Sequence, residues 1–360
     1  MRILILALSG IGDALMFTPA AALLRKAFPE AAIDAVVMFK GAEEIYKRNE
    51  HFNNVFYFDF LKESRLSSLK FILRLRRNYD ASINVYPSNR KEYNIISFLL
   101  GARQRAAVRY LRRDSRELGY LNNERITEDD SFHNVQENIK LCEKLLKIKF
   151  DEEPDLYFPL HDADEKFASD FLNEMNISEN DLMIGFHPGC ATFKNHIKRR
   201  WEPEKFALLG KKVIKDFNSK LLIFGGPEEE ELKQNICRMI NSPNAVTVSK
   251  GSLIQNAAVM KRCSLFITND SSLMHIASAL KRKVVAIIGP TNTNYIHPWH
   301  TEYKVVSLNL DCSPCFIYSP RPLICFRDDV KFKCIKEIET DMVYKAAAEL
   351  LNRAGIFSGA

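Results

Sequence analysis

Two short stretches of this chain combine hydroxyls, small residues and a carboxylate in a way suited to holding a ligand, phosphate above all, at the end of a strand. Thr268-Asn269-Asp270-Ser271-Ser272 follows the apolar run 265–267 and precedes apolar residues at Leu273, Ile276, Ala277 and Leu280, which share one helical face. It reads as the turn from a strand into a helix. Such a turn presents backbone N–H groups and the positive end of a helix dipole above the sheet, where a phosphate fits. Asn, Asp and Ser are also the preferred helix caps, so the window alone leaves capping and anion binding both open. Ser9-Gly10-Ile11-Gly12-Asp13 is the second stretch, set between the apolar run 3–8 and another helical pattern. Asp13 there stands where open α/β sheets put their ligands, or simply complements the helix dipole.

Three further turns carry polar or glycine-rich sequence: His187-Pro188-Gly189-Cys190-Ala191-Thr192, which leads into the basic loop 194–200, then Gly225-Gly226-Pro227-Glu228, and Tyr86-Pro87-Ser88-Asn89-Arg90. Arg90 is a candidate for an anionic acceptor. Cys312 and Cys315, with two residues between them, are followed by Cys325 and Cys334, a set suited to one structural zinc or iron in a loop too small for its own core. Four reduced thiols are the alternative. Two phosphate-binding signatures are excluded. The third glycine of a dinucleotide fingerprint falls on Leu15, and no Gly-Lys-Ser or Gly-Lys-Thr occurs.

The elements that position these turns repeat. Strand patterns at 3–8, 33–39, 55–60 and 81–86 alternate with helices, including one over 11–28 that Pro19 kinks or restarts and one over 134–146. After an acidic, proline-punctuated linker at 151–159 and a helix over 164–175, the pattern resumes with strands at 183–186, 221–224, 245–248, 265–267 and 284–288. Alternation of this kind means parallel, doubly wound sheets, which take their ligands at the carboxyl ends of the strands. A last helix, 340–353, carries Val343, Ala346, Ala347, Leu350 and Leu351 on one face and stops at Gly355.

Composition agrees with two folded domains. At 360 residues the chain exceeds one ordinary core of roughly 150 residues. Hydrophobic residues make up 46% and charged residues 27%, and the formal charge is +6, which disfavours long disorder and leaves a mildly basic surface. No nucleic-acid module is present, so no nucleic-acid partner is expected. The N-terminal apolar run is interrupted by Gly10, Gly12 and Asp13 and lacks a cleavage site, and no run reaches the ~18 apolar residues of a membrane span. A cytoplasmic protein is expected, resting at the inner face of the cytoplasmic membrane if its acceptor is lipid-linked.

Six motifs in order carry a resemblance. They are 9–13, His187-Pro188-Gly189, Arg199-Arg200-Trp201, Phe224 to Glu228, Asn269 to His275, and Gly289-Pro290-Thr291. Together they resemble glycosyltransferase family nine, the heptosyltransferases of lipopolysaccharide core assembly, over nearly the whole chain. The resemblance implies an α/β GT-B fold, two facing Rossmann-like doubly wound domains with a cleft between them. Residues 1–165 would bind the acceptor and 166–338 the nucleotide-sugar donor, while 339–360 would pack back on the first domain.

It further implies inverting transfer of a heptose from a nucleotide-diphosphate sugar, ADP-heptose in the family, to a lipid-linked or glycan acceptor, with no cofactor required. Asp13 matches the catalytic carboxylate. Gly12, Asn89 and Arg90 fall on the acceptor side. Gly189, Cys190, Ala191, Thr192, Lys198, Arg199, Glu228, Asp270, Ser271, Ser272 and His275 fall on the donor side, Glu228 toward ribose hydroxyls and His275 toward the diphosphate. Some related protein-modifying heptosyltransferases carry an iron-binding cysteine loop, which the cluster Cys312, Cys315, Cys325 and Cys334 resembles without matching its spacing. The chain departs from the family pattern at Arg199, where lysine is usual, and at Ser271-Ser272, where Thr-Gly is usual. A different sugar donor, a protein acceptor, and a non-catalytic nucleotide-sugar binder are the alternatives.

Overall fold

A computed structural model describes residues 1–352. The chain divides into two compact units, Met1–Pro159 with Ile317–Pro320, and Leu160–Phe316 with the chain from Arg321 onward. The first boundary therefore falls a few residues before the expected 165, and four residues of the cysteine-rich loop join the first unit.

In the first unit six parallel strands, β1 (Arg2–Ala7), β2 (Ala32–Val37), β3 (Asn54–Tyr57), β4 (Ala81–Asn84), β5 (Gln104–Arg109) and β6 (Glu124–Thr127), lie in the order β3-β2-β1-β4-β5-β6. β1 is buried on both faces from Ile3 onward, as a central parallel strand covered by helices must be, and this is why its sequence is continuously apolar. Pro19 lies in the first turn of a helix, Thr18–Ala27, where its missing N–H costs no bond; a separate short helix, Ile11–Met16, precedes it.

The second unit repeats the plan with β7 (Met183–His187), β8 (Lys220–Ile223), β9 (Ala245–Thr247), β10 (Leu265–Asn269), β11 (Lys283–Ile287) and β12 (Tyr303–Val306), in the order β12-β11-β10-β7-β8-β9. Counting strands within each half, this is the same doubly wound order. Both sheets reverse direction beside their own first strand, between β1 and β4 and between β7 and β10. Ligands of open parallel sheets bind at such switch points. The loops after β1, β4, β7 and β10 hold most of the residues expected to do chemistry.

The three strands that sequence reading omits, β5, β6 and β12, are short or carry charged ends. Arg105 and Arg109 lie in β5 and Arg125 in β6, where charge breaks up the apolar pattern.

The final helix differs from expectation. Thr340–Leu350 buries Val343, Tyr344, Ala347 and Leu350 in one core with Ile184, Trp201, Phe206 and Phe217 of the second unit, rather than on the first domain. Tyr344 stacks on Phe217 with ring centres 5.4 Å apart and donates to Asp216 Oδ2 at 2.8 Å. Trp201 Nε1 donates to the Ile338 carbonyl at 2.8 Å, fixing the approach to this helix. Its sheet face is thereby covered locally. Arg353 and the expected stop at Gly355 lie outside the described residues.

Candidate functional site

In the first unit Asp13 occupies the third position of helix Ile11–Met16, and its Oδ2 accepts from the Gly10 amide at 2.8 Å. It thus caps the helix, and it remains half-buried at the switch point. Gly12 beside it is buried. Ser9 Oγ donates to the Pro87 carbonyl, which ties the Asp13 loop to the loop after β4. Two tyrosines feel the Asp13 charge. Tyr46 is raised well above 10, mainly by burial and then by Asp13, and donates to the Ala14 carbonyl at 2.7 Å. Tyr93 is pushed up to about 12 by burial, against the lowering influence of Arg90. Arg90 lies over the Tyr93 ring at 5.4 Å.

Asn89 and Arg90 thus share a neighbourhood with Asp13. Behind them Asn138 bridges both sides of Tyr86, accepting from its amide at 2.8 Å and donating to its carbonyl at 3.1 Å. The Tyr86 hydroxyl donates to Glu128 Oε1 at 2.8 Å, and burial raises the Glu128 carboxyl. Glu137 accepts from the Asp129 amide at 2.7 Å, leaving Oε2 without a donor among the described residues, and burial raises this carboxyl to about 7.

In the second unit the site is a network of paired charges. His187, the last residue of β7, meets Ser271 Oγ through Nδ1 at 2.8 Å and Glu229 Oε2 through Nε2 at 3.1 Å. Arg200 donates to Glu229 Oε1 at 2.9 Å and to the Cys190 carbonyl at 2.8 Å. Burial alone would raise the Glu229 carboxyl. Hydrogen bonds from His187 and Gly226, with the His187 and Arg200 charges, outweigh it and hold the carboxyl below its ordinary value. Gly189 is required here, because a Cβ on it would stand 1.8 Å from Glu229 Oε1.

Asp270 pairs with Arg199 and accepts from Thr291 Oγ1 at 2.7 Å. Asn269 donates to the Pro188 carbonyl at 2.7 Å while accepting from the Trp201 amide at 3.0 Å. The helix Ser272–Ala279 has no side-chain cap bond, so capping does not account for Asp270 or Ser271; their side chains cross-link loops instead.

The remaining expected donor residues divide. Cys190 is buried, its thiol pushed up by burial, with Sγ 3.2 Å from the His196 carbonyl. Ala191 is half-buried, and Thr192 and Lys198 are exposed beside it. His275 is buried and lowered to about 4 by desolvation, hence neutral, and its Nδ1 has no partner among the described residues. Glu228 is exposed, and the carboxylate built into the network is its neighbour Glu229, with Arg200 as its counter-charge. The Gly-Gly-Pro turn marks the place in sequence but does not say which of four successive glutamates turns inward.

The cysteine cluster departs from expectation. Cys312, Cys315, Cys325 and Cys334 are free thiols near one another; Cys315 is raised and Cys334 pushed to about 11, both chiefly by burial and then by the neighbouring cysteines. Yet among the described residues no group of three or more Cys, His, Asp or Glu is arranged to hold a metal ion. Each of three sulfurs has other company: Arg327 lies 3.5 Å from Cys312, the Phe332 amide 3.2 Å from Cys325, and Cys334 packs beside Gly289. Among the described residues the proposed iron or zinc therefore finds no ligand set. No helix of the described residues is long and apolar enough to cross a membrane.

Comparison with known proteins gives one family. The family model of glycosyltransferase family 9 (heptosyltransferase) matches residues 68–321. Lipooligosaccharide heptosyltransferase 2 of Campylobacter jejuni is 33% identical over 59% of this chain and 65% of its own length, so the match spans just under two thirds of that relative. Lipopolysaccharide heptosyltransferase 2 of Escherichia coli is 27% identical over 86% of this chain and 88% of its own. The solved structure of E. coli ADP-heptose lps heptosyltransferase II superposes with a TM-score of 0.73 at 20% identity, covering 99% of this chain and 100% of that one, which shows a shared GT-B fold.

Proposed function

Because the chain belongs to glycosyltransferase family 9, the heptosyltransferases, we propose that it transfers a heptose from ADP-heptose to a lipopolysaccharide core, with inversion at the anomeric carbon. The observation that carries this reading is the placement of Asp13 at the switch point of one Rossmann-like sheet and of Asp270, Ser271 and the 188–192 loop at the switch point of the other. The names of the relatives supply the sugar and the acceptor class.

The step is a single displacement. Asp13 takes the proton of the acceptor hydroxyl as its oxygen bonds to the anomeric carbon, and the bond from that carbon to the diphosphate breaks. One carboxylate suffices, because no covalent glycosyl-enzyme forms. Charge growing on the departing ADP is met by donors already in place: backbone amides at 189–192, Lys198, and Arg199 and Arg200, whose buried Nε atoms have no acceptor among the described residues. Asp270 and Glu229 hold those two guanidiniums in position. Neutral His275 can donate one further N–H. No cofactor is assigned to this step.

Such an acceptor is lipid-linked, and we place the protein at the inner face of the cytoplasmic membrane by peripheral attachment. The test is product analysis. ADP-, GDP- and UDP-sugars are offered with a deacylated lipopolysaccharide core oligosaccharide, and a heptose mass increment should appear with ADP-heptose alone. Transfer from another nucleotide sugar in preference, or no transfer to the core, overturns the assignment.

A further inference from the structure

Ile317–Pro320 comes from the cysteine-rich loop but belongs to the first unit. Asn89 Nδ2 donates to the Tyr318 carbonyl at 2.9 Å and to the Arg112 carbonyl at 3.1 Å, and Asn134 Nδ2 donates to the Tyr318 hydroxyl at 3.0 Å. The Tyr86 ring meets Tyr318 edge-on, with centres 5.4 Å apart. Both asparagines are buried, 4% and 0% exposed, and in both the carboxamide oxygen has no donor among the described residues. The segment therefore uses the nitrogen of each carboxamide and wastes the oxygen.

A buried acceptor left unmatched costs more than a typical hydrogen bond returns, so this seating is a compromised one. Each carboxamide needs a partner that both accepts and donates. Sugar hydroxyls do both. Phosphate and carboxylate do not, since an ionised oxygen has no proton to offer Oδ1 and would face a carbonyl dipole of the wrong sign. The location is also apt. Asn89 follows Pro87 and Ser88, and the Pro87 carbonyl is bonded to Ser9 of the loop that carries Asp13.

Either side of the segment the loop is fixed. The amides of Cys315 and Phe316 both donate to the Pro290 carbonyl at 2.9 Å, while Leu323 exchanges bonds with the Lys194 carbonyl at 2.9 Å and Asn195 Nδ2 at 2.8 Å. Only the few residues between these anchors need shift to uncover the carboxamides.

We propose that Ile317–Pro320 is a displaceable cover over a sugar-hydroxyl subsite, and that the acceptor sugar takes the carboxamides of Asn89 and Asn134 when Tyr318 leaves them. The identity of the sugar rests on the heptosyl transfer proposed above; the hydroxyl chemistry rests on the two carboxamides. A cover of this kind reduces apparent acceptor affinity by the fraction of time it is open.

The probe is the deacylated core oligosaccharide with the full chain. Saturating oligosaccharide should speed amide hydrogen exchange at residues 317–319, and slowed or unchanged exchange overturns the cover. In steady-state assays Tyr318→Ala should lower the acceptor KM by about three- to tenfold with the donor KM unchanged. Tyr318→Phe, which keeps the ring and gives up only the hydroxyl contact, should lower it less, and serves if the alanine variant misfolds. An acceptor KM that rises in both variants makes Tyr318 a wall of the site and sinks the proposal. The exchange measurement needs no turnover. A protein that opens on binding oligosaccharide but transfers no heptose keeps the cover and loses the reaction, whereas one that transfers without opening loses the cover alone.

Discussion

The two switch points share a strand order and differ in what they leave unsatisfied. Around β4 the buried atoms without hydrogen-bond partners among the described residues are chiefly oxygens, on Ser82, Asn84, Asn89, Asn134 and Glu137, with Arg90 Nε and, on β6, Arg125 Nε as exceptions. Around β7 and β10 they are nitrogens, on Arg199, Arg200 and His275. A region short of donors suits a polyhydroxyl ligand, and a region short of acceptors suits an anion. Charge follows the same division. Two buried glutamates move in opposite directions, Glu137 raised because burial outweighs the Asp129 amide and the Lys140 charge, Glu229 lowered because the bonds from His187 and Gly226 and the Arg200 charge outweigh burial. Repeating a fold thus set the positions of the loops and left their chemistry to the side chains.

Asp13→Asn is the strongest way to separate the two regions. The amide oxygen keeps the Gly10 N–H bond, so the helix start survives, while a general base is lost; turnover should fall about 10²- to 10⁴-fold with donor binding unchanged by calorimetry. A loss of donor affinity on the same scale would mean that the regions are not distinct.

Glu229→Gln attacks the other region. It strips the counter-charge from Arg200 and His187, and should cost about 3–5 kcal/mol in denaturant unfolding and raise the donor KM while sparing the acceptor KM. Because the folded carboxyl of Glu229 is depressed, its stabilisation is present above the ordinary carboxylate range and is lost as pH falls through the folded value.

Glu137 runs the other way. With its folded value raised from 4.5 to about 7, the native state holds a proton that the unfolded chain releases, and stability falls as pH rises across that window. Glu137→Gln keeps an acceptor for the Asp129 amide and should recover about 3 kcal/mol at pH 8, shrinking to nothing near pH 4.5, in melts followed by circular dichroism. Equal gains at both pH values would rule out titration of Glu137 as the cause.

The smallest effect expected is none. Prolonged chelation followed by gel filtration should leave heptosyl transfer within a factor of about two, since the arginines and amides of the donor region supply the positive charge. Activity lost on chelation and restored by one added metal would require a cation there.

How much of this was legible in sequence depended on distance along the chain. Continuous apolar runs such as 3–8 and 265–267 announce central strands because burial on both faces permits nothing else. Edge strands obey no such rule, and β6, with Glu124 and Arg125 partly exposed, reads as loop. Asp13, Asp270 and Ser271 could be singled out because strand, turn and helix are adjacent in sequence. The partners that give them meaning could not, since His187 meets Ser271 across 84 residues and Asn89 meets Tyr318 across 229. The inward turn of Glu229 beside Glu228 was not legible, because inward and outward sides of a one-turn helix alternate faster than a motif can specify. The final helix illustrates the same point: its amphipathic face was evident, its docking surface was not.

One consequence reaches beyond chemistry. The first unit borrows Ile317–Pro320 from a distant part of the polypeptide, so the halves cannot be parted at Pro159 without orphaning a piece of one of them. Chimaeras that graft residues 1–159 from a relative would inherit a seat shaped for someone else's tyrosine. A working hybrid would have to carry that short insert along with its host.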